Sequence, residues 1–127
     1  MERMPVNAVF TEKMQNGLPV FAQLVQMGKD CTICVWGGDT PHVGSVVMST
    51  ARPSLTGSGV GVTSSVFNGI GHKDEYVARK FAEAAAEKFV CTAVCSCGIH
   101  IDDITPAQLQ EVSAVCDKLL KQVIAGA

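Results

Sequence analysis

The sequence predicts an α+β domain: an antiparallel sheet of five to six strands, with two helices from the C-terminal half packed on one face. Three observations predict it. Residues 6–67 alternate short runs rich in Val, Ile, Thr and Phe with turns bearing Gly and Asn, the pattern of β-structure. From Asp74 onward the apolar spacing changes to three and four, the period of an amphipathic helix. Between the two helical stretches, residues 90–97 are too few and too continuously apolar for a third helix, and read as a buried central strand.

Residues 6–14 form the first expected strand. Asn16-Gly17 follows as a two-residue hairpin turn, because both residues tolerate positive φ. Residues 18–27 return, Gly28-Lys29 suits a type II′ turn, and residues 30–36 make the third strand. The loop from Gly37 to Gly44 reads as a turn in a meander leading to a fourth strand over residues 44–51. Arg52-Pro53-Ser54-Leu55-Thr56-Gly57-Ser58-Gly59 is a hydroxyl- and glycine-rich connection in which Pro53 ends regular pairing, and residues 60–67 are the fifth strand.

Residues 74–89 carry Val77, Phe81, Ala85 and Phe89 along one helical stripe. Asp74 and Glu75 at the start and Lys88 at the end complement the helix dipole. After residues 90–97, Thr105-Pro106-Ala107-Gln108 starts the second helix. Thr105 can cap the Gln108 amide, Gln108 can reach back, and Pro106 suits the first helical position. Leu109, Val112, Cys116, Leu119 and Val123 then form a single apolar stripe.

No repeat or linker divides the chain, so residues 1–127 are expected to form one domain, a length that supports one real core. A net charge of −2, with ten basic residues scattered rather than clustered, argues against a nucleic-acid partner. No apolar run approaches 18 residues, and Met1-Glu2-Arg3-Met4-Pro5 lacks the apolar core of a signal peptide. A cytoplasmic protein with no membrane partner is expected. The six cysteines are then free thiols. Cys91, Cys95 and Cys97 share a strand face and Cys116 lies on a helix stripe, as small buried hydrophobes do.

The chain has three histidines, each in a glycine-punctuated loop: Pro41-His42-Val43-Gly44, Gly69-Ile70-Gly71-His72-Lys73-Asp74-Glu75, and Gly98-Ile99-His100-Ile101-Asp102-Asp103. The second loop opens a helix with Lys73 beside unpaired amides, the physics of an anion site, although a capped helix start explains it equally well. In the third, Asp102 could orient His100, or the acids could merely decorate the approach to a helix. Cys95, Cys97 and His100 have chelating spacing, yet paired C-x-x-C knuckles are absent, and Cys31-x-x-Cys34 sits in a strand where side chains three apart face opposite ways. No metal site is expected. No G-x-S-x-G elbow, Walker loop or dinucleotide-binding glycine motif is present, so no catalytic residues are expected.

Taken together, Pro41-His42-Val43-Gly44, Arg52-Pro53-Ser54-Leu55, Gly71-His72-Lys73-Asp74-Glu75 and Gly98-Ile99-His100-Ile101-Asp102 resemble the LpdD-like family, from about Val20 to Leu119. These are the small D subunits of prenylated-flavin-dependent, UbiD-type decarboxylases such as gallate decarboxylase. The resemblance implies a proteasome-assembly-chaperone-like fold, a homodimer and a UbiD-type decarboxylase partner acting on hydroxylated benzoates in aromatic compound degradation. It implies a non-catalytic accessory subunit that holds or delivers prenylated FMN. His42, His72, Lys73 and His100 are then expected at the flavin nucleotide, with Arg52 and Asp102 beside them. The rival readings are an assembly chaperone without cofactor and a small metal-dependent enzyme. The flavin reading requires the three histidine loops to converge.

Overall fold

The sequence alternation becomes a sheet with one buried face. Val20, Ala22 and Leu24 are buried, as are Cys31, Ile33 and Val35, while Phe21, Gln23, Thr32 and Cys34 between them face the other way. The computed structural model describes residues 4–69 and 73–125. Eight elements follow in order: β1 (Asn7–Lys13), β2 (Pro19–Met27), β3 (Asp30–Gly38), β4 (Ser45–Pro53), β5 (Val60–Asn68), α1 (Lys73–Phe89), β6 (Thr92–His100) and α2 (Pro106–Ala125). The fold is α+β, with both helices in the C-terminal half.

The strand order is β1-β2-β3-β6-β4-β5. Four of the five pairings are antiparallel, but β3 and β6 run parallel, so the sheet is mixed rather than purely antiparallel. The loop after β3 is therefore not a turn in a meander. β6 occupies the place beside β3 that a meander would assign to β4, and its side chains explain why. Ala93, Cys95 and Cys97 are all buried, as a strand paired on both sides at the sheet centre requires.

Both helices cover the same face, α1 across β4, β5 and β6, and α2 across β1 and β2. The expected α1 stripe of Val77, Phe81, Ala85 and Phe89 is buried throughout. Hydrogen bonds missed by apolar patterning align α1 with the edge hairpin. Ser64 donates to Glu83 (2.6 Å), and Asn68 donates to Glu75 (2.8 Å) while accepting from Ser45 (2.8 Å). Arg79 bridges Glu75 and Glu83 along the helix. Ser45 and Ser49 are fully buried on the core face, each with a partner on β5.

β3 runs on to Gly38, and β4 takes in Arg52 and Pro53, paired with Gly61 and Val60 rather than opening the connection. The other local signals hold with two corrections. The capping box forms as expected, Gln108 N–H donating to Thr105 Oγ1 (3.1 Å) and Thr105 N–H to Gln108 Oε1 (2.9 Å). The first hairpin has a three-residue loop instead of two. Met14 N–H donates to Leu18 O, Gly17 N–H donates to Met14 O, and Gly17 at φ +90° supplies the left-handed bulge position. The second correction concerns β6, which spans residues 92–100 rather than 90–97. Val90 instead ends the helix at φ +50°, with Cys91 N–H donating to Ala86 O (3.1 Å). Glycine is the usual residue there, and Val90 is 56% exposed. Val90→Gly should raise stability by about 0.5–1 kcal/mol, read as a higher urea midpoint, because relief of the left-handed strain outweighs the added unfolded-chain entropy.

Cys31, Cys91, Cys95, Cys97 and Cys116 are buried free thiols. Burial, with a smaller effect of Cys91, pushes Cys31 from 9.0 up to about 12; burial and then Asp117 push Cys116 to about 12. Such thiols stay protonated at neutral pH, which makes them inert packing groups. The unfolded chain loses these protons near pH 9 and the folded chain only towards 12. Their stabilisation is thus complete below pH 9 and is lost as pH rises through that window. Urea midpoints measured at pH 8 and pH 10.5 should fall less for Cys31→Ala than for the parent chain.

Candidate functional site

Parallel pairing brings β3 and β6 to an end at the same edge of the sheet, where Gly38 lies opposite His100. The loop leaving β3 is stitched to β6 by backbone bonds. Asp39 N–H donates to His100 O (2.7 Å), His42 N–H to Gly98 O (3.3 Å) and Gly44 N–H to Cys97 O (2.9 Å). Asp102 N–H donates back to Asp39 Oδ2 (2.9 Å). Two glycines make the approach possible: a Cβ on Gly98 would overlap the His42 carbonyl, and one on Gly38 the His100 carbonyl. Gly38 also has φ +82°.

The outcome is a pair of histidines with ring centroids 6.5 Å apart, edge to face. Two of the three loops therefore meet. His72 lies outside the described residues. Its neighbour Lys73 is the first residue of α1, and Asp74 beyond it lies 3.3 Å from His42 Nε2 through Oδ2. His100 closes β6 rather than lying in a loop. Its Nε2 is 3.1 Å from Asp102 Oδ1, and both side chains are exposed. The oriented imidazole is thus present, although an exposed pair of this kind contributes little to stability.

Asp74 is the residue whose role sequence reasoning missed. Its side chain turns inward instead of serving only the helix dipole, leaving the residue 7% exposed. Asp74 Oδ1 accepts from Ile99 N–H (3.1 Å) and from the Cys97 thiol (3.9 Å), and Oδ2 lies 3.3 Å from His42 Nε2. It caps a strand amide beyond the last pairing of β4 with β6. A Cβ on Gly44 would overlap this carboxylate, so the Gly44 position and the acid are matched. The Asp74 carboxylate also adds to the burial and the Cys95 neighbour that raise the Cys97 thiol well above its ordinary range.

Both ring nitrogens of His42 face acceptors: Nε2 the Asp74 carboxylate, and Nδ1 the Thr40 carbonyl at 3.2 Å. A neutral imidazole has one N–H and can serve one of them; the imidazolium serves both. At His100, Nε2–H directed at Asp102 leaves Nδ1 as the nitrogen for any ligand. The arrangement suits hydrogen bonding and orientation. Among the described residues, no group of three or more His, Cys, Asp and Glu side chains could hold a metal ion.

Arg52 is not brought to this cluster. It lies seven residues along β4 from Ser45, about 23 Å away in an extended strand. Its guanidinium bonds Thr63 Oγ1, Pro53 O and Val62 O, clasping the far end of the β4–β5 hairpin. Asp102 is in the cluster, and Lys73 is at its edge on α1.

This strand order with two helices on one face defines a proteasome-assembly-chaperone-like fold. A chain from a chaperone complex for yeast 20S proteasome assembly superposes with a TM-score of 0.55 at 14% identity, covering 94% of this chain and 98% of that one. The sequence is 32% identical over 119 residues to Protein LpdD of Lactiplantibacillus plantarum (strain ATCC BAA-793 / NCIMB 8826 / WCFS1), spanning 92% of this chain and 82% of that protein. Residues 14–127 match the prenylated flavin chaperone LpdD-like domain, and the chain belongs to that family. It is accordingly an accessory chaperone and not an enzyme. No helix among the described residues is long and apolar enough to cross a membrane.

Asp74→Ala should cost about 1–3 kcal/mol, because the Ile99 amide is left without its acceptor. Asp74→Asn keeps an oxygen for that amide and should cost less, while removing the acceptor from His42. Chemical denaturation ranks the two variants, and nitrogen chemical shifts of the His42 ring report the lost contact.

Proposed function

We propose that this chain holds prenylated FMN and delivers it to a UbiD-type decarboxylase, with the paired histidine loops as the polar part of the cofactor site. The observation that carries the reading is the 6.5 Å approach of His42 and His100 beside the start of α1, in a chain of a prenylated flavin chaperone family. His42, steadied by Asp74, and His100, oriented by Asp102, offer hydrogen bonds to the polar edge of the flavin ring. Lys73 and the first amides of α1 offer a positive end to its phosphate. His72, two residues from Asp74, is proposed to complete the polar wall. Arg52 has no part in a single-chain site of this kind.

Histidines suit a carrier. Their bonds are directional enough to select the ring edge, yet weak enough singly to let the cofactor leave for an enzyme that binds it more tightly. The substrate of that enzyme is proposed to be a hydroxylated aromatic acid of the gallate type, and the compartment the cytoplasm.

A homodimer is supported by the face that neither helix covers. Registers place Val9, Val46 and Phe67 in one row across all six strands, and Phe21 stacks on Trp36 with centroids 5.2 Å apart. Phe67 is 75% exposed. Six strands of this length offer about 700 Å2, close to one partner's share of a standard interface. A second copy, self-complementary about a two-fold axis, is the proposed occupant.

The cofactor reading is tested by titrating the protein with prenylated FMN and following flavin fluorescence. Saturable binding is expected, weakened about tenfold or more in His42→Ala and His100→Ala, with Arg52→Ala near the parent. Absence of saturable binding, together with capture of a decarboxylase, would favour a chaperone that grips only protein.

A further inference from the structure

A cleft of about 260 Å3 opens between the first turns of α1 and α2, with Asp74, the neighbour of His42, in its wall. Val77, Ile99, Ile104, Leu109 and Val112 give it a hydrocarbon lining, and Lys73, Asp74, Tyr76 and Ser113 share its walls. The apolar stripe of α2 shows that the cleft is a departure from simple core packing. Cys116, Leu119 and Val123 are at most 3% exposed, whereas Leu109, on the same stripe, is 41% exposed where it lines the cleft. Val112 still packs against the core, while Leu109 at the start of the stripe is left partly exposed at the cleft.

Size decides what fits. Pockets enclosing a whole drug-sized ligand run from about 300 to 1,000 Å3, so this cleft takes part of a flavin nucleotide and not all of it. Lining decides which part. Asp74 Oδ1 accepts from Ile99 N–H, and Oδ2 lies 3.3 Å from His42 Nε2, so each carboxylate oxygen already has a polar neighbour. Phosphate and ribityl gain nothing against Val112 and Ile104, whereas a branched hydrocarbon does, and Lys73, which also lines the cleft, is left to the phosphate.

We propose that this cleft is a hydrocarbon subsite for the prenyl-derived portion of the cofactor, and that through it the chain distinguishes prenylated from unmodified flavin nucleotide. The inference rests on the flavin reading above and adds the basis of discrimination. Asp74 is shared by the two parts of the site, contacting His42 and lining the cleft. A few buried carbons confer a preference of about tenfold to a few hundredfold.

The test compares dissociation constants for FMN and prenylated FMN in the full-length protein, in Leu109→Ser at the half-exposed wall, and in Ser113→Phe, which fills the cleft. The parent should prefer prenylated FMN by at least about tenfold. Both variants should bring the ratio towards one while leaving FMN affinity within about twofold, with circular dichroism confirming the fold. If Ser113→Phe fails to fold, Leu109→Ser alone decides. A parent that binds the two flavins equally, or an unchanged ratio in the folded variants, overturns the subsite and leaves the flavin reading standing. A parent that binds neither flavin overturns both.

Discussion

The carboxylate of Asp74 is the joint on which the functional end of the molecule depends. A buried acid must have its oxygens matched, and here the Ile99 amide and Cys97 thiol of β6 and the imidazole of the β3–β4 loop surround an acid carried by α1. One side chain therefore fixes where α1 begins, where β6 stops pairing with β4, and how His42 is turned. The glycines at 44 and 98 follow from it, because the loop can reach the acid only where no Cβ intervenes.

The mixed sheet supplies the other half of the geometry. In a plain meander the ends of β3 and β6 would lie wherever their neighbours placed them. Parallel pairing instead puts both C-terminal ends on one edge, where successive backbone amides of the departing loop bond to β6 carbonyls. Ligands commonly bind at such strand ends, since that is where loops diverge from a rigid floor. The rest of the fold serves this edge: α1 is held in place by the Glu75–Arg79–Glu83 ladder against the serines and asparagine of the β4–β5 hairpin, and α2 carries the wall opposite.

Much of this was legible in the sequence. Strand alternation, the α1 stripe and the Thr105–Gln108 capping box are short-range patterns that reflect local physics, and they located the elements to within a few residues. The fold class followed from their order. Long-range pairing was not legible: nothing within residues 37–44 says that a strand fifty residues later will displace β4 from β3. Asp74 was misread for a related reason. An acid in a first helical turn ordinarily serves the dipole, and its inward turn depends on the Ile99 amide, twenty-five positions away. Arg52 was placed with the histidines through the family resemblance and its charge, but the length of β4 carries it to the opposite end. Leu109 of α2 has the spacing of core yet is 41% exposed, because it lies where the stripe runs out over the cleft.

Consider finally the position of β6. Before it is in place the sheet is two separate pieces, a three-stranded meander and a hairpin, which share no strand pairing without it. Everything that defines the histidine edge (the bonds to His100 O and Gly98 O, the amide for Asp74, the second histidine) belongs to this one late strand. A nascent or partly unfolded chain thus has neither histidine pair nor cleft, and the proposed capture would be confined to molecules whose folding has gone to completion.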